Sequence, residues 1–158
     1  SPGYYAADLL TEILGGGAAS RLYQTLVKEK QYFSSIDCYH FGSLDAGLVA
    51  VDGKLVKGVS MENAVKAVDE EIEKLKATKI EAKELQKVIN RTESVIAFED
   101  MSVMSRASSI ALYELLGDAD MMNTEFQKYQ AVNIDSIHAY ANKIFDNNNS
   151  NTLLYHAQ

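Results

Sequence analysis

A single cysteine, a single proline and no tryptophan occur in this chain of 158 residues. One cysteine, Cys38, excludes an internal disulfide framework and any multi-cysteine zinc or iron–sulfur site. The lone proline stands at the amino end, so no Pro-rich linker divides the chain. Positive charge is also short. Fifteen Lys and Arg face 22 Asp and Glu, for a net charge of −7 and a pI near 4.9. That balance argues against a nucleic-acid partner, which would call for a basic face. No apolar run approaches the roughly 20 residues that span a bilayer. Residues 1–10 lack a basic n-region, so they do not read as an intact signal peptide. What is present is ordinary for a folded chain: 47% hydrophobic and 23% charged residues. A length of about 150 residues suits one domain. Such a domain buries about two-thirds of its unfolded surface without a metal or disulfide staple.

The hydrophobic period changes along the chain. Tyr5, Leu9, Leu10, Ile13 and Leu14 recur at helical spacing, and Gly15-Gly16-Gly17 stops the pattern where a left-handed cap belongs. Ser20 is a good N-cap for a second helix running to Lys30, with Leu22, Leu26 and Thr25 inward. From Ser35 to Phe41 the period falls to two, with Ile36, Cys38 and His40 on one face and Asp37, Tyr39 and Phe41 on the other. A turn over Gly42–Gly47 and a strand over Leu48–Gly53 complete a predicted hairpin. Helical spacing then returns. Met61, Ala64, Val65, Val68, Ile72 and Leu75 form one stripe. Thr78–Glu81 has the form of a capping box opening a helix through Leu85, Val88, Ile89, Thr92, Val95 and Ile96. A further apolar run holds Met104, Ala107, Ile110, Ala111 and Leu115 and ends at Gly117. Asn133 caps a last helix, stapled by Val132 and Ile137, and Thr152–His156 reads as a final strand. The expected class is α+β, a mainly antiparallel sheet covered on one face by helices. A sheet of three strands is small for so much helix, so a first strand upstream of Ser1 is expected to be missing.

Candidate chemistry is sparse. His40, His138 and His156 have no His or Glu partner at the spacing of a helical zinc pair, so they read as structural or surface residues. Cys38 alternates with apolar neighbours like a small core residue, with no base or cationic setting to activate it. Gly15–Gly17 follows no strand and lacks the Lys-Ser/Thr of a phosphate loop, which leaves a helix corner. Asp69-Glu70-Glu71 with Glu73 reads as a solvated helix face with i,i+4 lysine pairing. Asn90-Arg91-Thr92 matches a glycosylation sequon, but in mid-helix.

One segment carries a resemblance. Ile13-Leu14-Gly15-Gly16-Gly17, followed by Ser20-Arg21-Leu22-Tyr23-Gln24-Thr25-Leu26-Val27-Lys28-Glu29-Lys30, resembles the second, non-zinc domain of the pitrilysin/insulinase family of zinc metallopeptidases, which includes the mitochondrial processing peptidase. Glu84-Leu85, Gly117-Asp118, Tyr129–Ile137, Ala141 and Asn151-Thr152-Leu153 follow in the family's order. The resemblance implies a processing-peptidase-like (LuxS-like) metallohydrolase fold. It makes residues 1–158 a single domain, the C-terminal half of a longer two-domain protein.

Family zinc is held by an inverted H-x-x-E-H helix motif. That motif is missing here, so the resemblance implies no catalytic and no metal residue in this chain and zinc in an N-terminal domain. In some family members an arginine and a tyrosine of the second domain bind the substrate backbone or oxyanion. Aligned on Leu26, those positions hold Val27 and Ser34, and the spacing does not favour Arg21, Lys28 or Tyr32 as replacements. The expected function is that of a non-catalytic C-terminal domain of a bacterial zinc metalloendopeptidase, forming a chamber wall and an interface. The alternative is a proteolytically inactive scaffold of the same fold, like the core subunits of respiratory complexes. Expected partners are the zinc-bearing domain, a homo- or heterodimer partner and a peptide substrate. A single buried-looking thiol fits bacterial cytoplasm and periplasm alike.

Overall fold

A computed structural model of the chain describes residues 2–42 and 47–156. The elements are α1 (Pro2–Gly15), a π-helix (Tyr23–Glu29), β1 (Phe33–Phe41), β2 (Leu48–Leu55), α2 (Met61–Ala77), α3 (Ala82–Asp100), α4 (Val103–Leu115), α5 (Met121–Gln130), α6 (Ile134–Ile144) and a 3₁₀ turn (Asn147–Asn149). The class is α+β, with helices packed on a small antiparallel sheet.

α1 is the centre of the molecule. The sequence marks one apolar stripe, yet Ala6 and Ala7 are buried together with Leu9, Leu10, Ile13 and Leu14. The reason is that α1 meets β1, α3, α5 and α6, and a helix surrounded on several sides needs apolar residues on several sides. Its carboxyl end runs tightly against the sheet. A Cβ on Gly15 would lie 2.4 Å from both Cβ and N of Cys38, so only glycine allows this approach. Gly17 then takes φ +83°, the left-handed conformation that turns the chain away.

The segment from Ser20 begins with ordinary winding, Gln24 N–H donating to the Ser20 carbonyl at 3.0 Å. It then widens. Lys30 N–H reaches back five residues to the Thr25 carbonyl at 2.9 Å, which is π geometry. Leu22 and Leu26 are fully buried, as their spacing predicts.

β1 and β2 pair antiparallel, with Cys38 opposite Val51, Tyr39 opposite Ala50 and Phe41 opposite Leu48. Ile36 and Cys38 are buried and His40 is half-buried beneath α1, while Asp37, Tyr39 and Phe41 face outward. The alternation read from the sequence therefore holds. The predicted turn falls on residues 43–46, which lie outside the described residues.

Three expectations are corrected. Thr152–His156 makes no sheet pairing: among the described residues the sheet is β1 and β2 alone, and Leu153 and Tyr155 are exposed. A short apolar run becomes a strand only when it pairs with a neighbouring strand, and spacing alone does not say whether it does. Thr78 opens no capping box. It closes α2, its N–H donating to the Lys74 carbonyl at 3.1 Å, and the chain turns so that Ile80 enters the core before Glu81 caps α3. The box forms instead at Asn133, whose side chain accepts from Ser136 N–H at 2.9 Å while Asn133 N–H donates to Ser136 Oγ at 3.1 Å. Finally, Glu71 is not a solvated carboxylate. It is 4% exposed and takes an ion pair from Lys74 at 2.6 Å, and the neighbouring Glu73–Lys76 pair is likewise i,i+3 rather than i,i+4.

Candidate functional site

A cleft of about 210 Å³ opens where α1, α3 and α5 meet. Asp8 and Glu12 line it from successive turns of α1, Arg91, Thr92, Val95, Ile96 and Glu99 from α3, and Glu125 and Tyr129 from α5. Asp8 and Glu12 stand four residues apart on a helix otherwise made for burial, so both carboxylates project on one side. Tyr129 Oη donates to Asp8 Oδ2 at 2.8 Å. Arg91 pairs with Glu12 at 2.9 Å and also donates to the Gly16 carbonyl, which fixes the α1 corner to α3.

Carboxylates outnumber cations in this cleft, with Arg91 the one basic lining residue. Burial pushes the Glu12 carboxyl above the usual range, against the opposing pull of Arg91. Burial, and then the Asp8 charge, pushes the Tyr129 phenol far up, so it stays protonated and donates. Burial, followed by neighbouring Glu125, does the same to Tyr113. The cleft thus holds an anchored arginine, a protonated phenol and excess negative charge. None of its groups is a nucleophile paired with a base. The arrangement can hold a bound group through charge and hydrogen bonding.

The remaining sequence candidates scatter. His40 sits on β1 under Tyr4, its Nδ1 3.9 Å from Asp8 Oδ1, beyond hydrogen-bond reach. His138 lies on α6 and His156 in the terminal segment. Among the described residues, no three His, Cys, Asp or Glu side chains are grouped as metal ligands. These residues therefore do not fit a zinc site. Cys38 is a core residue, its thiol pushed up to about 12 by burial. Val27 is half-buried against the core, and Ser34 is exposed with its hydroxyl donating to the Lys54 carbonyl at 3.1 Å. Arg21 is held by a two-pronged contact with Glu84, both bonds 2.8 Å. Asn90 is exposed on α3 and accepts from Gln86. The cleft itself went unread in the sequence, although Asp8 and Glu12 on an apolar helix were its visible signal.

Residues 1–92 match the family model described as the peptidase M16 inactive domain. The chain belongs to the peptidase M16 inactive-domain family. Among proteins similar to this M16 domain is the Bacillus subtilis (strain 168) protein named uncharacterized zinc protease YmxG. The two are 25% identical over 142 residues, covering 89% of this chain and 34% of the relative. A solved protease from Helicobacter pylori superposes with a TM-score of 0.83 at 22% identity, covering 92% of this chain and 35% of that one. An inactive peptidase domain from Bordetella parapertussis gives 0.83 at 19% identity, covering 94% and 79%. At such identities the structural matches establish the fold. The chain spans about a third of the length of YmxG and of the Helicobacter protein.

Proposed function

We propose that this M16 domain is the non-catalytic C-terminal half of a bacterial zinc metalloendopeptidase, with the H-x-x-E-H motif and its zinc in a domain encoded ahead of Ser1. The observation that carries this reading is the match of residues 1–92 to the peptidase M16 inactive domain. In this reading the preceding segment also supplies the first strand of the sheet. The domain forms one wall of a closed chamber for a peptide substrate and pairs with the zinc-bearing domain. The outward sheet face, with Tyr39 and Phe41 stacked edge-on at 4.9 Å, suits such a wall, because exposed aromatics offer apolar contact without demanding one sequence. Val27 and Ser34 supply no arginine or tyrosine donor to a developing oxyanion, so any such clamp comes from another domain or subunit.

The test is to express the longer reading frame and measure bound zinc and cleavage of a fluorogenic peptide, beside the 158-residue chain. About one zinc per long chain, with cleavage by that chain and none by the 158-residue domain, supports the proposal. A long chain without zinc or cleavage, with or without a paralogous partner, would establish the inactive scaffold instead.

A further inference from the structure

Charge is unevenly matched in the cleft between α1, α3 and α5. Four carboxylates, Asp8, Glu12, Glu99 and Glu125, line it with a single cation, Arg91. Arg91 is committed to Glu12 at 2.9 Å and to the Gly16 carbonyl, and no basic side chain among the described residues pairs with Glu99 or Glu125. The α5 lysine, Lys128, lies over the Tyr5 ring, 5.9 Å from its centroid, and does not line the cleft. The surplus reaches the phenols beside it. After burial itself, Asp8 and then Glu125 push the Tyr4 phenol up, and Glu125 pushes up that of Tyr5.

A second observation lies behind Asp8, on the sheet. The His40 side chain is 9% exposed, and its buried Nδ1 has no hydrogen-bond partner among the described residues. That nitrogen faces Asp8 Oδ1 across 3.9 Å, while Tyr129 donates to Oδ2, the other oxygen. A buried polar atom left without a partner is costly and marks a place where a group is missing. Beside a carboxylate, which only accepts, the missing group is a donor. The cleft's size and walls narrow the choice. Its volume of about 210 Å³ is less than a drug-sized ligand occupies and suits one side chain. Val95 and Ile96 add an apolar wall, against which a long basic side chain can lay its methylene stem. A guanidinium carries several donors in one plane, answers more than one carboxylate oxygen and is less strongly hydrated than an ammonium.

We propose that this cleft binds the guanidinium of an arginine side chain carried by a polypeptide segment, with Asp8 and Glu125 accepting its N–H groups and His40 sensing the filled site through Asp8. The cleft lies on the helical side of the sheet, away from the outward Tyr39 and Phe41, so the inference does not rest on the peptidase reading. It is tested by titrating the isotope-labelled 158-residue chain with the blocked pentapeptide acetyl-Gly-Gly-Arg-Gly-Gly-amide, followed by two-dimensional NMR. Saturable binding is expected, with the His40 imidazole signals moving along the same curve while those of His138 and His156 stay still. The citrulline counterpart, alike in shape but uncharged, should bind at least about tenfold more weakly. Free arginine, whose own carboxylate meets the surplus negative charge, should be weaker than the pentapeptide by about fivefold or more. Asp8→Asn and Glu125→Gln should each weaken the pentapeptide about fivefold or more, with circular dichroism as the check on folding. Glu62→Gln, an exposed position on α2, should leave it unchanged. Absence of saturable binding, or citrulline bound as tightly as arginine, overturns the proposal. So does an equal loss in Glu62→Gln, which would mean diffuse attraction to an acidic chain, or a His40 signal that stays still at saturation. Free arginine bound as tightly as the pentapeptide would assign the cleft to a free amino acid and overturn the polypeptide source.

Discussion

α1 and α4 are nearly equal in length, 14 and 13 residues, and both are mostly apolar with few charges. In α1, six hydrophobic residues are buried and two acidic ones, Asp8 and Glu12, line the cleft. In α4 no residue is buried. The contrast extends along the chain: among the described residues none from Asn90 to Lys128 is buried, whereas burial is dense before Asn90. The family match also ends at residue 92. Composition therefore fixes that a helix has apolar surface to cover, while topology decides whether the same domain covers it. α1 finds β1 beneath it and three helices around it; α4 packs mainly on α3 and α5.

Substitution is the most direct way to break this comparison. Leu10→Ala in α1 should cost about 3–5 kcal/mol, since a buried leucine leaves a cavity among rigid neighbours. Gly15→Val should cost about 1–3 kcal/mol or more, because its Cβ has no room against Cys38. Both are read from urea unfolding midpoints monitored by circular dichroism. Asn133→Ala, which removes a capping box from a helix with two buried residues, should cost about 1 kcal/mol in the same assay. Met104→Ala, its counterpart on the uncovered helix, should change stability by no more than about 0.5 kcal/mol. A large loss at Met104 would erase the distinction between the two helices.

Alkaline titration sharpens the comparison from the covered side. The Cys38 thiol is held protonated up to about 12 in the fold, against about 8.5 when unfolded. Between these values the folded state binds the extra proton, so stability falls as pH rises from roughly 8.5. Burial likewise raises the phenols of Tyr129 and Tyr113, which add to the loss at higher pH. Cys38→Ala should flatten the first part of that decline. At pH 8, native Cys38 should react with iodoacetamide at least about a hundredfold more slowly than in urea, because the thiolate is the attacking species. Fast alkylation of the native chain would contradict the close seat of Cys38 against Gly15.

Much of the architecture was legible because the hydrophobic period changes sharply, from helical to alternating near Phe33 and back near Ser60. The inward Ile36 and Cys38, the paired Leu22 and Leu26 and the cap at Asn133 all follow from spacing of two, three or four residues. The rest depends on neighbours that spacing cannot name. Thr152–His156 carries a strand-like apolar run yet pairs with no strand among the described residues, and Glu71 is buried although its sequence neighbours are solvated. The cleft draws residues from helices as far apart in the chain as Asp8 and Tyr129, so only packing assembles it. The exposed face of α4 is the same limitation seen from outside: apolar spacing marks a face and is silent about its cover.

The π-helix carries a consequence for length changes in this protein. A segment that closes its bonds five residues back holds a spare residue in its loop of backbone. Deleting one residue between Tyr23 and Glu29 would let the segment rewind to ordinary pitch, with Ser20 and Phe33 staying where they are. The same deletion in α1 would swing Leu9 and Leu10 away from their neighbours by about 100°, so the molecule has a built-in place to be shortened beside its least forgiving helix.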